Sequence, residues 1–181
     1  QRLAEAPDGR LFFFSRRGVY WMKDWDERIH EVEGQPYPFF LEGFLPLPDG
    51  RMLMGWSAPG QGVWQWDARS NRIRPWPDSP LPTGTQVFQM AFDIADSTRM
   101  WISTSRGLCS FDLQAKTTDW FEPPGGGIKG SVPVRRFHQT SDRNIWMDAN
   151  GVFTMLNPGT GTWQVWKQGA ELASASRGSR I

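Results

Sequence analysis

The 181-residue sequence predicts an all-β fold, and three observations support this prediction. The chain is rich in residues that favour strands and turns, with 11 Trp, 12 Phe, 19 Gly and 14 Pro. No stretch of the sequence has the sustained 3.6-residue periodicity of an amphipathic helix. A short motif, glycine followed by an aliphatic residue, recurs at a nearly constant interval. Together these features indicate many short strands joined by tight turns.

The repeated motif is clearest between Trp101 and Asp112, where two apolar strands flank a turn closed by Gly107. Glycine suits such a turn because it adopts positive φ without a Cβ clash. Counterparts of this glycine occur about every 44 residues along the chain. The four dipeptides are Gly18-Val19, Gly62-Val63, Gly107-Leu108 and Gly151-Val152.

A period of roughly 40–50 residues in a β-rich chain is typical of propeller blades. Predicted strands such as Leu11 to Phe14 are apolar on both faces. Blades that stack around an axis bury both faces of each sheet, so continuous apolar strands are expected there. We therefore predict a β-propeller of four-stranded antiparallel blades, with four repeats of about 44 residues in this chain.

Each repeat divides into four predicted strands, A to D, from the propeller axis outward. The first repeat spans residues 1–38 and the second 39–84. The connector 77–85 is excluded from strand and helix by its prolines. The predicted strands are Leu3 to Ala6, Leu11 to Phe14, Val19 to Met22 and Ile29 to Val32, followed by Phe44 to Leu47, Met52 to Gly55, Val63 to Trp66 and Ile73 to Trp76.

The third repeat spans residues 85–130 and the fourth 131–168, so the blades are expected to occupy 1–168. A Pro-Pro-Gly-Gly-Gly run at 123–127 predicts a flexible connector. Residues 169–181 are predicted to be a flexible tail or a truncated segment. The predicted strands are Val87 to Phe92, Met100 to Ser103, Leu108 to Phe111 and Thr118 to Phe121, followed by Val134 to His138, Ile145 to Asp148, Val152 to Leu156 and Thr162 to Trp166.

Composition excludes several classes of function. The formal net charge of +1 gives no support to nucleic-acid binding, and no apolar run approaches the ~18 residues of a membrane span. The single cysteine, Cys109, permits neither an internal disulfide nor a thiolate cluster for zinc. His30 and His138 lie too far apart in sequence to form a metal-binding motif. We therefore predict no cofactor and no metal site.

The segment from Trp101 to Asp112, Trp-Ile-Ser-Thr-Ser-Arg-Gly-Leu-Cys-Ser-Phe-Asp, resembles the two-component regulator propeller repeat. That family's pattern is Trp-Ile-Gly-Thr, two variable residues, Gly-Leu, two variable residues, an aromatic residue and Asp or Asn. Ser103 replaces the family's first glycine. The segment from Gly62 to Asp67 matches well, and that from Gly151 to Asn157 matches loosely.

This resemblance implies a ligand-sensing or interaction propeller that forms the extracytoplasmic, periplasmic input domain of a two-component sensor or related regulator. The family usually closes its propellers with more than four blades. We therefore expect the four repeats to be part of a larger propeller, completed by further blades or by a second copy of the chain.

Polar residues precede the turn glycines, on the face of a propeller that carries the loops between strands B and C and the connectors between blades. Arginine suits a carboxylate or sulfate group, and tryptophan suits stacking on a sugar. We predict that this loop face binds a small polar ligand such as a carbohydrate, although exposed loop residues are commonly polar without binding anything. The candidate residues are Arg16, Arg17, Tyr37, Trp56, Gln61, Arg106, His138 and Asn150.

Two alternatives stay open. One is a propeller enzyme, a lyase or glycan-cleaving protein, whose acid and base come from separate blades; the other is a protein–protein adaptor. The carboxylate pairs Asp24/Asp26 and Asp93/Asp96 are the candidates for acid–base chemistry. Because no convergent catalytic motif is visible, we predict a non-enzymatic protein with no catalytic residue.

Two structural predictions concern individual side chains. Asx residues recur just after strand C, where they favour turns by accepting hydrogen bonds from nearby amides. Most of the tryptophans are expected in the core, whereas Trp25 and Trp56 are expected in turns and exposed. The recurring Asx residues are Asp24, Asp67, Asp112 and Asn157.

Overall fold

A computed structural model of the protein describes residues 3–15, 17–23, 28–36, 41–58, 62–124, 132–149 and 151–166. These residues contain sixteen strands and no helix. The strands form four sheets, and in each sheet four consecutive strands lie side by side in sequence order. Four four-stranded antiparallel blades confirm the predicted propeller architecture.

The strand bounds follow the predicted ones closely, and β9, β12 and β16 agree in full. Blade 1 consists of β1 (Leu3–Glu5), β2 (Leu11–Ser15), β3 (Gly18–Met22) and β4 (His30–Glu31). Blade 2 consists of β5 (Leu41–Pro46), β6 (Met52–Trp56), β7 (Val63–Asp67) and β8 (Arg72–Pro75). Blade 3 consists of β9 (Val87–Phe92), β10 (Arg99–Thr104), β11 (Gly107–Asp112) and β12 (Thr118–Phe121). Blade 4 consists of β13 (Val134–Gln139), β14 (Ile145–Ala149), β15 (Val152–Asn157) and β16 (Thr162–Trp166).

The largest difference from the predicted bounds lies at the start of β5. This strand begins at Leu41 rather than at Phe44, because its pairing with β6 continues through a register shift between Leu41 and Gly43. Such a bulge adds an unpaired residue and interrupts the alternation from which strands are predicted.

The chain divides into two compact units, residues 1–91 and 92–181. In the first unit the core lies between blades 1 and 2, where the ring of Phe12 packs edge-on against Trp66 at a centroid distance of 4.7 Å. Phe44 contacts the same Phe12 ring at 6.0 Å. In the second unit the fully buried side chains include Trp101, Ile102 and Ile145. Apolar burial between blades 1 and 2 therefore stabilises the first unit, and burial of these large side chains stabilises the second.

The turn that defines the repeat requires its glycine in blade 3. Gly107 has φ 122°, and a Cβ built on it would lie 2.8 Å from the carbonyl oxygen of Phe121. Both the backbone conformation and the close approach of β12 exclude a side chain at this position. The recurring Gly-aliphatic motif is thus a consequence of blade geometry.

The predicted turn role of the Asx residues after strand C is confirmed for the three described ones. The Oδ1 atom of Asp67 accepts hydrogen bonds from the amides of residues 69 and 70, at 3.0 and 2.9 Å. Asp112 and Asn157 accept equivalent pairs of bonds. Asp24 lies outside the described residues.

The described part of the chain contains no helix that could cross a membrane.

Candidate functional site

Three of the predicted loop-face residues are exposed. Arg17 and Arg106 each lie in the tight turn between the second and third strands of a blade. Their amides donate to the hydroxyl oxygens of Ser15 and Thr104, at 3.1 and 3.0 Å, and these bonds fix the turns. His138 is also exposed, but it lies on β13 at the opposite end of the blade from the predicted loop face, because it pairs with Trp146, whereas Val134 pairs with Ala149 beside the B–C turn. These side chains are accessible to a ligand, and their part in binding one stays a prediction.

The expected exposure of Trp56 is wrong. Trp56 is the last residue of β6 rather than a turn residue, and its side chain is 0 % exposed within the core of the first unit. Its amide donates to the carbonyl oxygen of Gly62 at 2.9 Å, which extends the pairing of β6 by one residue. Because the pleat turns this side chain inward, Trp56 offers no free face on which a sugar could stack.

The other predicted residues cannot be placed. Arg16, Tyr37, Gln61 and Asn150 lie outside the described residues, as do Asp26 and Trp25.

A cleft of about 220 Å³ opens in the second unit, at the end of the blades opposite to the B–C turns. Its walls are the turn between the first two strands of blade 3, here called the A–B turn, the A–B turn of blade 4, and the turn after β15. The lining residues are Asp93, Arg99, Trp101, Asp142, Arg143, Asn157, Pro158 and Gly159. Two arginines, two aspartates and an indole thus meet around one small cavity.

Asp93 is a buried carboxylate whose acceptor positions are used by the protein. Its Oδ2 accepts from the indole Nε1 of Trp101 and from Nε2 of Gln139, both at 2.9 Å, and its Oδ1 accepts from the amide of Ala95 at 2.9 Å. Burial raises the pKa of Asp93, but the hydrogen bonds from Gln139, Ala95 and Trp101 outweigh it and hold the pKa below its usual value. Asp93 is therefore an ionised structural group that joins blades 3 and 4.

The carboxylate of Asp142 likewise accepts hydrogen bonds from residues of its own turn. Its Oδ1 accepts from the hydroxyl of Thr140 and from the amide of Asn144, and its Oδ2 accepts from the Asn144 side-chain amide at 2.8 Å. These bonds, with that to the Thr140 hydroxyl as the largest contribution, lower the pKa of Asp142.

The two arginines differ from the carboxylates in having unused hydrogen-bonding capacity. Within the described ranges, neither the guanidinium of Arg99 nor that of Arg143 forms a hydrogen bond or an ion pair. The charge of Arg99 helps to lower the pKa of Asp96, and that of Arg143 helps to lower the pKa of Asp93. The free capacity of the cleft thus consists of cationic donors, which suits a ligand that carries acceptors and negative charge.

The corresponding space in the first unit is filled by the protein itself. The guanidinium of Arg10 lies over the rings of Trp21 and Trp66, at 4.5 and 4.8 Å, and its Nε lies 3.2 Å from the carboxylate of Asp8. The indole Nε1 of Trp21 donates to Oδ1 of Asn71 at 2.7 Å. Cation–π contacts and an ion pair thus hold the guanidinium of Arg10, and a hydrogen bond holds the indole of Trp21.

Two substitutions between the repeats distinguish the cleft from the corresponding position in the first unit. Trp21 pairs with Phe12 in blade 1, and Ser110 occupies the same register position opposite Trp101 in blade 3. The indole that fills the space in blade 1 is therefore replaced by a hydroxymethyl group in blade 3. Trp66 of blade 2 is likewise replaced by Leu156 in blade 4, so Arg99 lacks both of the aromatic partners that Arg10 has.

The candidate acid–base pair Asp93/Asp96 has turn functions. Asp96 accepts from the hydroxyl and the amide of Thr98, at 2.6 and 2.9 Å, and these bonds lower its pKa. The described residues contain no group of three or more His, Cys, Asp and Glu side chains that could hold a metal ion.

His30 stacks on the indole of Trp21 at 4.1 Å with an interplanar angle of 11°.

The sequence did contain a signal for the cleft. An arginine recurs in the A–B turn of every repeat, at Arg10, Arg51, Arg99 and Arg143. The residues predicted to bind a ligand were assigned to the opposite, B–C end of the blades.

Comparison with known proteins supports the fold. No family profile matches the chain, and no curated protein matches its sequence. The extracellular domain of the hybrid two-component system BT4673 from B. thetaiotaomicron superposes with a TM-score of 0.69 at 15% identity, over 93% of this chain and 21% of that one. That of BT3049 from the same organism gives a TM-score of 0.64 at 15% identity, over 90% of this chain and 22% of that one.

Virginiamycin B lyase from Staphylococcus aureus is also similar, with a TM-score of 0.65 at 12% identity, over 91% of this chain and 54% of that one. This chain therefore spans about a fifth of the length of the two sensor-system domains and about half of the lyase. At these identities the likeness establishes the fold. The chain is a run of β-propeller blades, the fold that the motif from Trp101 to Asp112 implied, and it is similar in fold to the extracellular domains of BT4673 and BT3049.

Proposed function

We propose that the chain forms blades of a ligand-sensing propeller, in the extracytoplasmic input domain of a two-component sensor or related regulator. The observation that carries this proposal is the fold shared with the extracellular domains of BT4673 and BT3049 over at least nine-tenths of this chain. In this function the blades bind a small polar ligand, such as a carbohydrate, and further blades or a second copy complete the propeller. Ligand binding in the periplasm would then change the signalling state of the receptor.

The chemistry of the described surface supports binding of a polar ligand. Arg17 and Arg106 present exposed guanidinium groups at the B–C turns, and Arg99 and Arg143 present free donors in the cleft. A rigid scaffold with polar loops is a common basis for recognition. Because the scaffold is a sheet stack held by apolar burial, loop residues can be exchanged with little effect on folding.

The carboxylates favour a non-enzymatic function over the alternative of a lyase or glycan-cleaving enzyme. A general acid at neutral pH needs a raised pKa. Five of the described carboxyl groups have a lowered pKa because they accept hydrogen bonds in a turn or between blades. These groups are Asp49, Asp67, Asp93, Asp96 and Asp142.

The test is a binding assay combined with analysis of the recovered ligand. The purified chain is screened by its melting temperature against neutral and acidic mono- and oligosaccharides, and each compound that raises the melting temperature is recovered after long incubation and analysed by mass spectrometry. A sensor raises its melting temperature and returns the compound unchanged. Cleavage or elimination would establish the enzyme instead, and the absence of any shift across the panel would favour the adaptor.

A further inference from the structure

We propose that the cleft in the second unit is a carboxylate-binding site in which Arg99 and Arg143 hold the ligand. This inference deepens the proposed sensing function by naming the chemical class of its ligand and by placing the site opposite to the B–C turns. The ligand is a small organic acid, either free or as the acidic unit of a larger molecule.

The hydrogen-bonding inventory of the cleft favours an anionic ligand. Asp93 and Asp142 together accept six hydrogen bonds from protein groups, which uses most of the acceptor sites of the two carboxylates. The guanidinium groups of Arg99 and Arg143 have no hydrogen-bond or ion-pair partner within the described residues. A guanidinium presents a planar fork of N–H donors that matches the two oxygens of a carboxylate. An anion with paired oxygens therefore accepts hydrogen bonds from the guanidinium N–H groups that have no acceptor in the protein.

Arg143 occupies a backbone position that the A–B turns of blades 1 and 2 give to glycine. The amides of Gly9, Gly50 and Arg143 donate equivalent turn bonds, to Ala6, Leu47 and Thr140, at 2.9, 3.0 and 2.8 Å. All three have left-handed conformations, with φ of 84°, 87° and 69°. A side chain in this conformation costs about 1–2 kcal/mol. Blade 4 thus carries a strained arginine where the fold favours glycine, and this residue lines the cleft.

The surroundings of the two arginines limit the size and the mobility of the ligand. The floor includes Trp101, which is 1 % exposed and held by its bond to Asp93, and one wall is the turn of Asn157, Pro158 and Gly159. A volume of about 220 Å³ is below the range of drug-sized pockets. The cleft therefore suits one small acid or one acidic sugar unit rather than a long chain bound end to end.

The experiment measures binding by isothermal titration calorimetry at low salt. The probes are succinate and glucuronate, with succinamide and glucose as uncharged counterparts and sulfate as an inorganic anion. We expect the carboxylates to bind, the uncharged compounds to bind at least tenfold more weakly, and the affinity to fall as salt is added. Stronger binding of glucuronate than of succinate would identify an acidic sugar as the source, and the reverse order would identify a free acid.

Two variants test the assigned residues without endangering the fold. Arg143→Gly restores the residue that blades 1 and 2 have at this position, and Arg99→Gln keeps a polar side chain of similar length. We expect each to weaken carboxylate binding at least tenfold. The matched control is Arg51→Gln, because Arg51 lies in the same turn of blade 2 and is already paired with Asp49 at 2.6 Å. Arg106→Gln is the control for the opposite end of the blades.

The possible outcomes separate this inference from the proposed function. Loss of binding in Arg106→Gln but not in Arg99→Gln or Arg143→Gly would overturn the site and leave a sensing propeller. Binding of neutral sugars without binding of carboxylates would do the same. Equal affinity for sulfate and for the carboxylates would overturn the ligand class. Carboxylate binding that depends on both arginines, followed by chemical conversion of the ligand, would support the site and reject the sensor.

Discussion

The side-chain amide of Gln139, at the end of the first strand of blade 4, donates a 2.9 Å hydrogen bond to the carboxylate of Asp93 in blade 3. The same glutamine accepts a bond of 3.0 Å from the amide of Ile94. Asp93 is 5 % exposed and also holds the indole of Trp101. One pair of residues therefore both links two blades and fixes the floor of the cleft.

Replacing Asp93 by alanine is expected to lower the free energy of unfolding by about 2–4 kcal/mol. The change leaves the Trp101 N–H and the Gln139 amide without an acceptor, and each unsatisfied buried donor costs about 1–3 kcal/mol. Gln139→Ala is expected to cost about 1–2 kcal/mol, and the double variant less than the sum, because the two residues share a bond. Urea unfolding of the four proteins measures this coupling.

Asp119→Ala is the control, since Asp119 is an exposed carboxylate in β12, and its effect is expected within about 0.5 kcal/mol. Additive effects of Asp93→Ala and Gln139→Ala would show that the bond does not contribute to stability.

Replacing Arg143 by glycine is expected to raise the free energy of unfolding by about 0.5–1 kcal/mol. Relief of the left-handed conformation at φ 69° contributes about 1–2 kcal/mol, and the greater freedom of glycine in the unfolded chain offsets about 0.4–1 kcal/mol of it. Arg143→Ala removes the same guanidinium but keeps a Cβ, so its stability is expected to stay near that of the parent. Thermal unfolding of both variants makes the comparison. A glycine variant less stable than the alanine variant by about 0.4–1 kcal/mol would mean that the backbone at this position is unstrained.

The blade architecture was predictable from the sequence because it depends on local rules. Turn glycines, apolar triplets and Asx residues recur in register, and the turn around Gly107 follows from its positive φ and from the closeness of Phe121. The recurring pattern is sufficient to locate the strands. It does not depend on how one blade meets the next.

The cleft was not predictable because it depends on contacts between blades. Trp21 and Ser110 occupy equivalent positions, and only the packing of the sheets shows that the indole of Trp21 lies against the guanidinium of Arg10. The burial of Trp56 is a similar case, since the pleat of β6 decides the direction of its side chain. The sequence pattern around these residues carries no information on which neighbour they face.

Gly55 shows how tightly the blades pack. A Cβ built on this residue would lie 2.6 Å from Cγ1 of Val87 and 3.3 Å from Cε of Met90. We expect Gly55→Ala to lower the free energy of unfolding by about 1–3 kcal/mol through overpacking. Adding Val87→Ala should recover part of this loss, because it removes the methyl group that clashes, and chemical denaturation of the single and double variants tests this rescue. A double variant as unstable as the sum of the single changes would rule out the clash as the cause.

The last prediction concerns the buried thiol of Cys109. Its side chain is 0 % exposed, and burial, with a smaller contribution from the charge of Asp119, raises the pKa of the thiol to about 12. The unfolded chain loses this proton above about pH 9, whereas the folded protein keeps it. Because the folded state then binds more protons, stability falls with rising pH, by about 1.4 kcal/mol per pH unit above pH 9.

The free energy of unfolding is measured between pH 7 and 10.5 for the parent and for Cys109→Ala, so that all other groups that titrate in this range cancel in the difference. The difference in the free energy of unfolding between the two proteins should become smaller above pH 9, since only the parent loses stability through the thiol. A constant difference in the free energy of unfolding would mean that the thiol ionises equally well in the folded and the unfolded protein. In that case the native protein should also react with a thiol reagent at pH 8, whereas a buried thiol is protected from it.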